Sequence, residues 1–382
     1  MTPAKPPKFP LDEIVHADCR HFRGDRPCDP HKRAGVHCDG CPHYDPIRKR
    51  ILLIKLGAVG DVIRTTPLLR ALKRKGVHIT WLTHTPDAVP HGWVDCILTL
   101  TPATSVFLQA SFFHELYNLD KDLEAVALCK LIPAEQKFGF TLGEDGVCVP
   151  VDRSARAKWL TGLFDDLNRL NPLSYPQEIF ALCGKRFHGE KYILEPDGSP
   201  PFDLPLPRPR IGVNTGAGSR WPSRIWKFDH WAALTRLLLD CKFGVLLLGG
   251  PDEDEKNRKL AQDTGAFYAG TFPLKRFYHL VNEVDLLVTG VTLALHVGIA
   301  LGKRIVLLNS IFNRAEFELY GLGRILEPDV DCLGCFRAIC PEDCINQLSP
   351  EEVHRAVLAE VHRLPKTPIR LRNAKKHGMS AK

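Results

Sequence analysis

The sequence predicts an α/β protein of two domains, each a parallel sheet with helices on its faces, preceded by a small cysteine-rich extension. Three observations predict it. The chain has 382 residues, more than the roughly 250–300 at which a single core stops growing. Apolar runs of strand length alternate with amphipathic helical stretches. The proline-dense stretch GSPPFDLPLPRPR (198–210) separates two such series. Composition agrees: 44% of residues are hydrophobic and 51 Lys plus Arg face 44 Asp plus Glu, which excludes disordered and fibrous classes. No run of about 18 apolar residues occurs, and the start MTPAKPPKFPLDEIVHADCR lacks the apolar centre of a secretory signal. A cytoplasmic location is expected.

Residues 1–48 are rich in Cys, His, Pro and Asp and have no apolar periodicity, so an ordinary core cannot order them. The first domain is expected over 49–200. There ILLIKLG (51–57) reads as a buried strand, GAVGD as a turn with glycines at 57 and 60, VIRTTPLLRALKRKG as an amphipathic helix ended by Gly76, and VHITWLTH as the next strand. VDCILTL and ELYNLD are weaker elements. The second domain is expected over 207–348, with strands RIGVNTG, FGVLLLGG, VDLLVTG and RIVLLNS and helices WAALTRLLLD and LALHVGIALG between them. SPEEVHRAVLAEVHRL (349–364) has a Ser349 cap, acids in its first turn and an apolar stripe, which predicts a terminal helix. The basic tail (365–382) carries Lys366, Arg370, Arg372, Lys375, Lys376 and Lys382 without an acid; it reads as a solvated end or a peripheral contact with anionic membrane. The net charge of +7 is modest for this length, and no nucleic-acid partner is expected.

Two similar α/β halves place a cleft between them, where ligand sites tend to lie. In KLGAVGDVIR the carboxylate of Asp61 follows a strand end. Two roles fit it: a helix N-cap, contributing about 1 kcal/mol, and a general base facing the cleft. In GVNTGAGS the small residues let backbone N–H groups approach a phosphate, with Gly216, Gly218 and the hydroxyls of Thr215 and Ser219 as candidate donor contacts. Downstream, SRWPSRIWKFDHW offers Arg224 among tryptophans, a cation suited to a diphosphate or a solvated charge on an aromatic helix edge. Thr292 opens a helix after a strand, a ready anion site, and His296 lies one turn on, as a core histidine or a ligand contact. The run PDEDE (251–255) reads as the first turn of a helix, with a ribose contact through Glu255 as the alternative.

KLGAVGDVIRTTPLLRALK, GVNTGAGSRWPSRIWKFDHW, LLLGGPDEDE and TLALHVGIALGK, in that order, resemble glycosyltransferase family 9, the ADP-heptose:lipopolysaccharide heptosyltransferase family, over about residues 50–310. The resemblance implies a GT-B fold with an N-terminal acceptor domain, a C-terminal donor domain and a terminal helix that crosses back. It places the family's base on Asp61 and its phosphate-contacting basic residue on Arg224, and it matches Thr292 and His296 to the family's Thr and His. Val291 and Leu293 depart from the family pattern, which has Asp and Gly there. The implied function is inverting transfer of a heptose or related sugar from a nucleotide-diphosphate donor to a lipopolysaccharide or other envelope glycan acceptor, a glycolipid or polysaccharide, at the inner face of the inner membrane. No catalytic metal is implied, because cations and loop amides can neutralise the leaving diphosphate. Val291 leaves open a second reading, a non-catalytic nucleotide-binding regulatory or metal-sensing protein. An epimerase on the same scaffold rests on fold analogy alone.

Thirteen cysteines without a secretion signal point to metal ligands rather than to a disulfide framework. Cys19, Cys28, Cys38 and Cys41 precede the first domain, and Cys332, Cys335, Cys340 and Cys344 follow the second. Each set contains a C-x2-C pair and four thiols, enough for a closed tetrahedral zinc site. His21, His31, His37 and His43 are substitutes in the first set. An iron–sulfur cluster is the alternative, although the C-terminal spacing does not match a ferredoxin run. Cys96, Cys129, Cys148, Cys183 and Cys241 lie in apolar segments and are expected as packed thiols.

Overall fold

The computed structural model describes residues 11–216 and 221–364; Gly218, Ser219 and the basic tail lie outside the described residues. Between residues 11 and 48 no side chain is buried. This segment holds one short helix, α1 (Asp29–Ala34), and an isolated antiparallel bridge between Cys19 and Pro46.

Six strands then form the first sheet: β1 (Lys49–Ile54), β2 (Val77–Leu82), β3 (Cys96–Leu98), β4 (Phe113–Asn118), β5 (Ala134–Leu142) and β6 (Cys148–Pro150). Their order is β3-β2-β1-β4-β5-β6, parallel throughout except for β5 and β6. Helices α2 (Val59–Thr65), α3 (Leu68–Leu72), α4 (Pro102–Gln109), α5 (Leu123–Leu131), α6 (Arg153–Leu160), α7 (Asp165–Leu170) and α8 (Tyr175–Leu182) accompany it. The apolar run Ile51–Ile54 is no more than 2% exposed, as a parallel strand covered on both faces requires. Each large side chain buried in this way stabilises by about 1.5–3 kcal/mol.

The second sheet comprises β7 (Arg210–Asn214), β8 (Gly244–Leu248), β9 (Phe267–Tyr268), β10 (Leu286–Thr289), β11 (Arg304–Leu308) and β12 (Gly323–Leu326). It is wholly parallel, in the order β12-β11-β10-β7-β8-β9. Its helices are α9 (Phe228–Asp240), α10 (Asp254–Thr264), α11 (Leu274–Asn282), α12 (Leu293–Ala300) and α13 (Pro350–Val361). Counted from β9, the strand order repeats that of the first sheet, so both domains are Rossmann-like. Each has a switch point at its centre, between β1 and β4 and between β7 and β10, where the carboxyl ends of the strands leave a crevice.

Two expectations are corrected. The single helix expected after the first turn is broken into α2 and α3 by Pro67, which has no N–H to donate; the Thr66 hydroxyl there accepts from the Ile193 amide at 2.8 Å. The terminal helix packs on α9 and β11 of the second domain instead of crossing back. Its fully buried Glu360 holds it there, accepting from Arg304 of β11 and from Arg324 of β12 at 2.9 Å. The domains share one core cluster, in which Ile63, Leu68 and Trp81 join Leu287, Leu295 and Ile305. Helices α2 and α12 meet where the two halves adjoin. Among the described residues no helix is long and apolar enough to cross a membrane.

Candidate active site

At the β7/β10 switch point, Asn214 ends β7 with its amide buried. Its Nδ2 donates to the hydroxyls of Thr289 (3.1 Å) and Thr292 (3.2 Å) and faces the Gly216 carbonyl at 3.4 Å. Thr292 is the N-cap of α12. A cavity of about 420 Å³ opens here, lined by Asn214, Gly216, Arg224, Gly250, Glu253, Phe272, Phe277, Thr292 and Leu293 among others, a size that suits a small-molecule ligand. Apolar walls from Phe272, Leu274 and Phe277 stand on one side. On the other, Arg224 donates to the Val291 carbonyl at 2.6 Å and lies 5.8 Å from the Phe312 ring. Val291 thus contributes a backbone anchor for the cation.

Three of the residues expected to contact a donor do not line this cavity. Thr215 is buried behind the loop: its hydroxyl donates to Asn257 at 2.6 Å, and its carbonyl accepts from Lys256 at 2.8 Å. Glu255 is exposed on α10, because Pro251–Glu253 form a separate 3-10 turn and α10 begins only at Asp254. Glu253, with Asp252 beside it, lines the cavity instead. Its carboxylate accepts from the Gly250 amide at 2.9 Å, and a Cβ on Gly216 would stand 2.8 Å from it and turn that flexible side chain aside. His296 is buried in the contact between domains, stacked on Tyr192 at 6.2 Å. Burial, reinforced by Arg64, pushes its imidazole down to about 3 despite Asp61 nearby, so the ring is neutral at physiological pH. Asn214 and Glu253 escaped sequence reasoning; the alternation of Asn214 with glycines and the acid run were their only local signals.

The N-cap role for Asp61 gives way. Ala58 occupies the N-cap of α2 and makes no side-chain bond, while the Asp61 carboxylate pairs with Arg64 Nε at 2.8 Å and keeps 34% of its side chain exposed. Burial pushes this carboxyl up, but Arg64 first, with Lys55 and Lys158, holds it below the usual carboxylate range. Arg64 lies 3.6 Å over the Tyr175 ring, and its other arm donates to Glu316 of the second domain at 2.5 Å. Behind the turn, buried Lys55 pairs with Asp120, whose carboxylate also accepts from the Leu56 and Gly57 amides.

A second cavity, of about 300 Å³, is lined by Lys121, Lys158, Thr161, Asp165 and Asn168 from the first domain and by Trp221, Glu316 and Phe336 from the second. Lys158 also bonds Glu178 at 2.5 Å. Burial and the neighbouring Lys158 push the Lys121 ammonium down to about 8. Because Glu316 lines this cavity and bonds Arg64, the cavity adjoins Asp61.

Gly60 ties the two sites together. Neither Gly57 nor Gly60 has a positive φ, so the sharp turn does not demand them. A Cβ on Gly60 would meet His296 Cδ2 at 2.8 Å, whereas one on Gly57 finds nothing closer than 4.0 Å. Gly60→Ala is therefore expected to push α2 from α12, costing about 1–3 kcal/mol and lowering turnover as Asp61 moves. Gly57→Ala should leave both unchanged. Thermal denaturation and initial rates on the pair check this; equal behaviour of the two variants would rule the contact out.

Each cysteine set lies within one region of the structure. The first four line one cavity of about 30 Å³. In the second set Cys335 and Cys344 are buried, and burial pushes the Cys344 thiol up, with Cys332, Cys335 and Cys340 near enough to add to it. All eight thiols are free, and among the described residues no three His, Cys, Asp or Glu side chains stand in metal-coordinating geometry. Of the remaining thiols, Cys129 and Cys183 are buried, but Cys241 is exposed at the end of α9, 3.4 Å from His354 Nε2.

Two parallel-sheet domains whose strand ends face a common cleft are the GT-B arrangement, the fold of many glycosyltransferases. Residues 176–345, the segment that carries the first cavity, match the model of glycosyltransferase family 9 (heptosyltransferase). Among solved structures, a family 9 glycosyl transferase from Veillonella parvula is similar at 19% identity and TM-score 0.64, covering 82% of this chain and 98% of that one. The E. coli ADP-heptose lipopolysaccharide heptosyltransferase II is similar at 18% identity and TM-score 0.58, with 82% and 99% covered. E. coli heptosyltransferase WaaC, solved with ADP-2-deoxy-2-fluoro heptose, is similar at 13% identity and TM-score 0.56, with 81% and 99% covered. No curated protein matches the chain by sequence.

Proposed function

We propose that the protein transfers a heptose or related sugar, with inversion, from a nucleotide-diphosphate donor to a hydroxyl of a lipopolysaccharide or other envelope glycan acceptor. The observation that carries this reading is the contact of Gly60 with His296. It sets Asp61 beside the start of α12, whose first residues line the 420 Å³ cavity. In this reading Asp61 takes the proton of the acceptor hydroxyl as its oxygen bonds the anomeric carbon. The bond from that carbon to the diphosphate breaks on the opposite face, and the nucleoside diphosphate leaves with the electron pair. Arg224 and the Thr292 hydroxyl stabilise the charge that develops there. Glu253 is placed to accept from ribose hydroxyls. The second cavity suits the acceptor: Trp221 and Phe336 offer faces for a sugar ring, and Lys121 and Lys158 suit an anionic substituent. This chemistry needs no catalytic metal. A structural zinc on Cys332, Cys335, Cys340 and Cys344 belongs to the reading, since Ser223 of the Arg224 turn bonds that loop through the carbonyls of Arg337 (2.5 Å) and Ala338 (3.1 Å). A cytoplasmic location with peripheral membrane contact goes with such an acceptor.

WaaC was solved with ADP and with an ADP-heptose analogue, so ADP is the first ligand to test. Arg224→Ala is expected to weaken ADP binding roughly 10- to 100-fold, the loss of a charge-assisted bond worth about 1.5–3 kcal/mol, as read by titration calorimetry. Failure of ADP, UDP, GDP, CMP and dTDP alike to bind the unsubstituted protein would overturn the donor site. Val291 in place of the family's acid favours one other reading, nucleotide binding without transfer. Nucleotide binding with no transfer to any envelope glycan would decide for it.

A further inference from the structure

We propose that Cys19, Cys28, Cys38 and Cys41 bind one zinc ion, and that this ion folds residues 11–48 into a brace on the amino-terminal edge of the first sheet. The need comes first. An ordered segment of this length with no buried side chain gains almost nothing from the hydrophobic effect to offset roughly 1–2 kcal/mol of backbone entropy per residue. Metal binding supplies folding free energy directly in segments of this kind.

The four thiols also share one cavity, although they do not stand in coordinating geometry in this structure. The cavity measures about 30 Å³, room for two or three water-sized bodies at about 10–15 Å³ each and so for a single ion. Within C-D-G-C the Cys41 amide turns back to the Cys38 carbonyl at 3.2 Å, and Gly40 takes the left-handed conformation at φ 63°. That turn brings two thiols to one side. The other C-x2-C pair, C-L-G-C, likewise holds its glycine in the left-handed region, Gly334 at φ 69°. Cys28 is fixed as the N-cap of α1, and Cys19 by its bridge to Pro46. Of the imidazoles that line the same cavity, His37 bonds Glu13 through Nδ1 (2.5 Å) and His16 stacks on Tyr44 at 4.6 Å, while His21 and His43 are the alternative ligands. Closed four-thiolate coordination is a structural zinc set.

Beside Cys19, Arg20 connects the cluster to the sheet. Its guanidinium bonds Asp45 (2.9 Å), Asp95 and the Val77 carbonyl (2.9 Å), and Asp95 in turn accepts from the Ile79 amide at 2.8 Å. Val77 begins β2 and Asp95 directly precedes β3. These are the amino ends of the strands, opposite the crevice that holds Asp61, so the ion braces the sheet without touching the reacting groups. The inference does not depend on the transfer reading.

The test uses the full chain. Elemental analysis and native mass spectrometry are expected to show that Cys38→Ser carries one zinc equivalent less than the unsubstituted protein, while Cys96→Ser retains the full content. Cys38→Ser should melt at a lower temperature yet still bind ADP as the unsubstituted protein does. If that variant does not fold, the unsubstituted protein still decides: the four thiols should resist alkylation until a chelator is added, and cobalt substitution should give thiolate-to-metal charge-transfer bands. Equal zinc in Cys38→Ser and the unsubstituted protein, iron with acid-labile sulfide, or disulfides among the four cysteines would each overturn the proposal.

Discussion

Asp61→Asn is expected to lower kcat by about 10²- to 10⁴-fold, the range that a positioned general base contributes, while ADP binding stays within experimental error. Asparagine keeps the size and the acceptor oxygen of the side chain, so the turn, the Gly60–His296 contact and the cavity at the start of α12 persist. Only the ability to take a proton is lost. The expected signature is a change in kcat and kcat/KM together, because the base acts in the transition state and not in the ground state. Transfer of labelled sugar with saturating donor measures it. An asparagine variant with unchanged turnover would remove Asp61 from the mechanism.

Arg64→Ala carries the second large effect. Arg64 is 15% exposed and bridges Asp61 of one domain to Glu316 of the other. Removing it leaves two carboxylates facing each other without their cation. Breaking a buried pair in this way costs about 3–5 kcal/mol, and the lower end applies here because Asp61 keeps a third of its side chain in water. Denaturant midpoints measure the loss. The pH dependence follows from the direction of the shift. A carboxyl held below its usual range contributes stability that is complete above about pH 3.9 and disappears as pH falls through the folded value. Without Arg64 the opposing effect of burial remains, so the carboxyl moves upward, and both that stability and the acid limb of the rate profile are lost at higher pH. Arg64→Lys restores the charge and should restore the acid limb. If Arg64→Ala leaves the limb in place, another group sets the charge of Asp61.

How much of this was legible in the sequence depended on whether the cause was local. Ile51–Ile54 and Gly244–Leu248 read as buried strands because a parallel strand is apolar on both faces, and the linker was visible in its prolines. The identical strand order of the two sheets was not visible, since short-range periodicity carries no information on which strands become neighbours. Asp61 was legible from its place after a glycine turn at a strand end. Its partner Arg64 was in plain view one helical turn on, yet Glu316, which explains why Arg64 is bridged across the cleft, lies 252 residues away. Glu253 and Glu255 differ only in where a 3-10 turn hands over to a helix, a boundary that the acids themselves do not mark. Thr215 looked like a phosphate contact because a hydroxyl beside a glycine loop often is one; Asn257 on α10 claims it instead.

The polypeptide passes from the first sheet to the second once, through residues 198–210, and α13 stays with the second half. Opening of the cleft is therefore equivalent to dissociation of a heterodimer whose two members are tied by one cord. A cord of that length keeps the members at an effective concentration on the order of millimolar, so the shared core and the contact between α2 and α12 need less affinity to stay docked than they would in two separate chains.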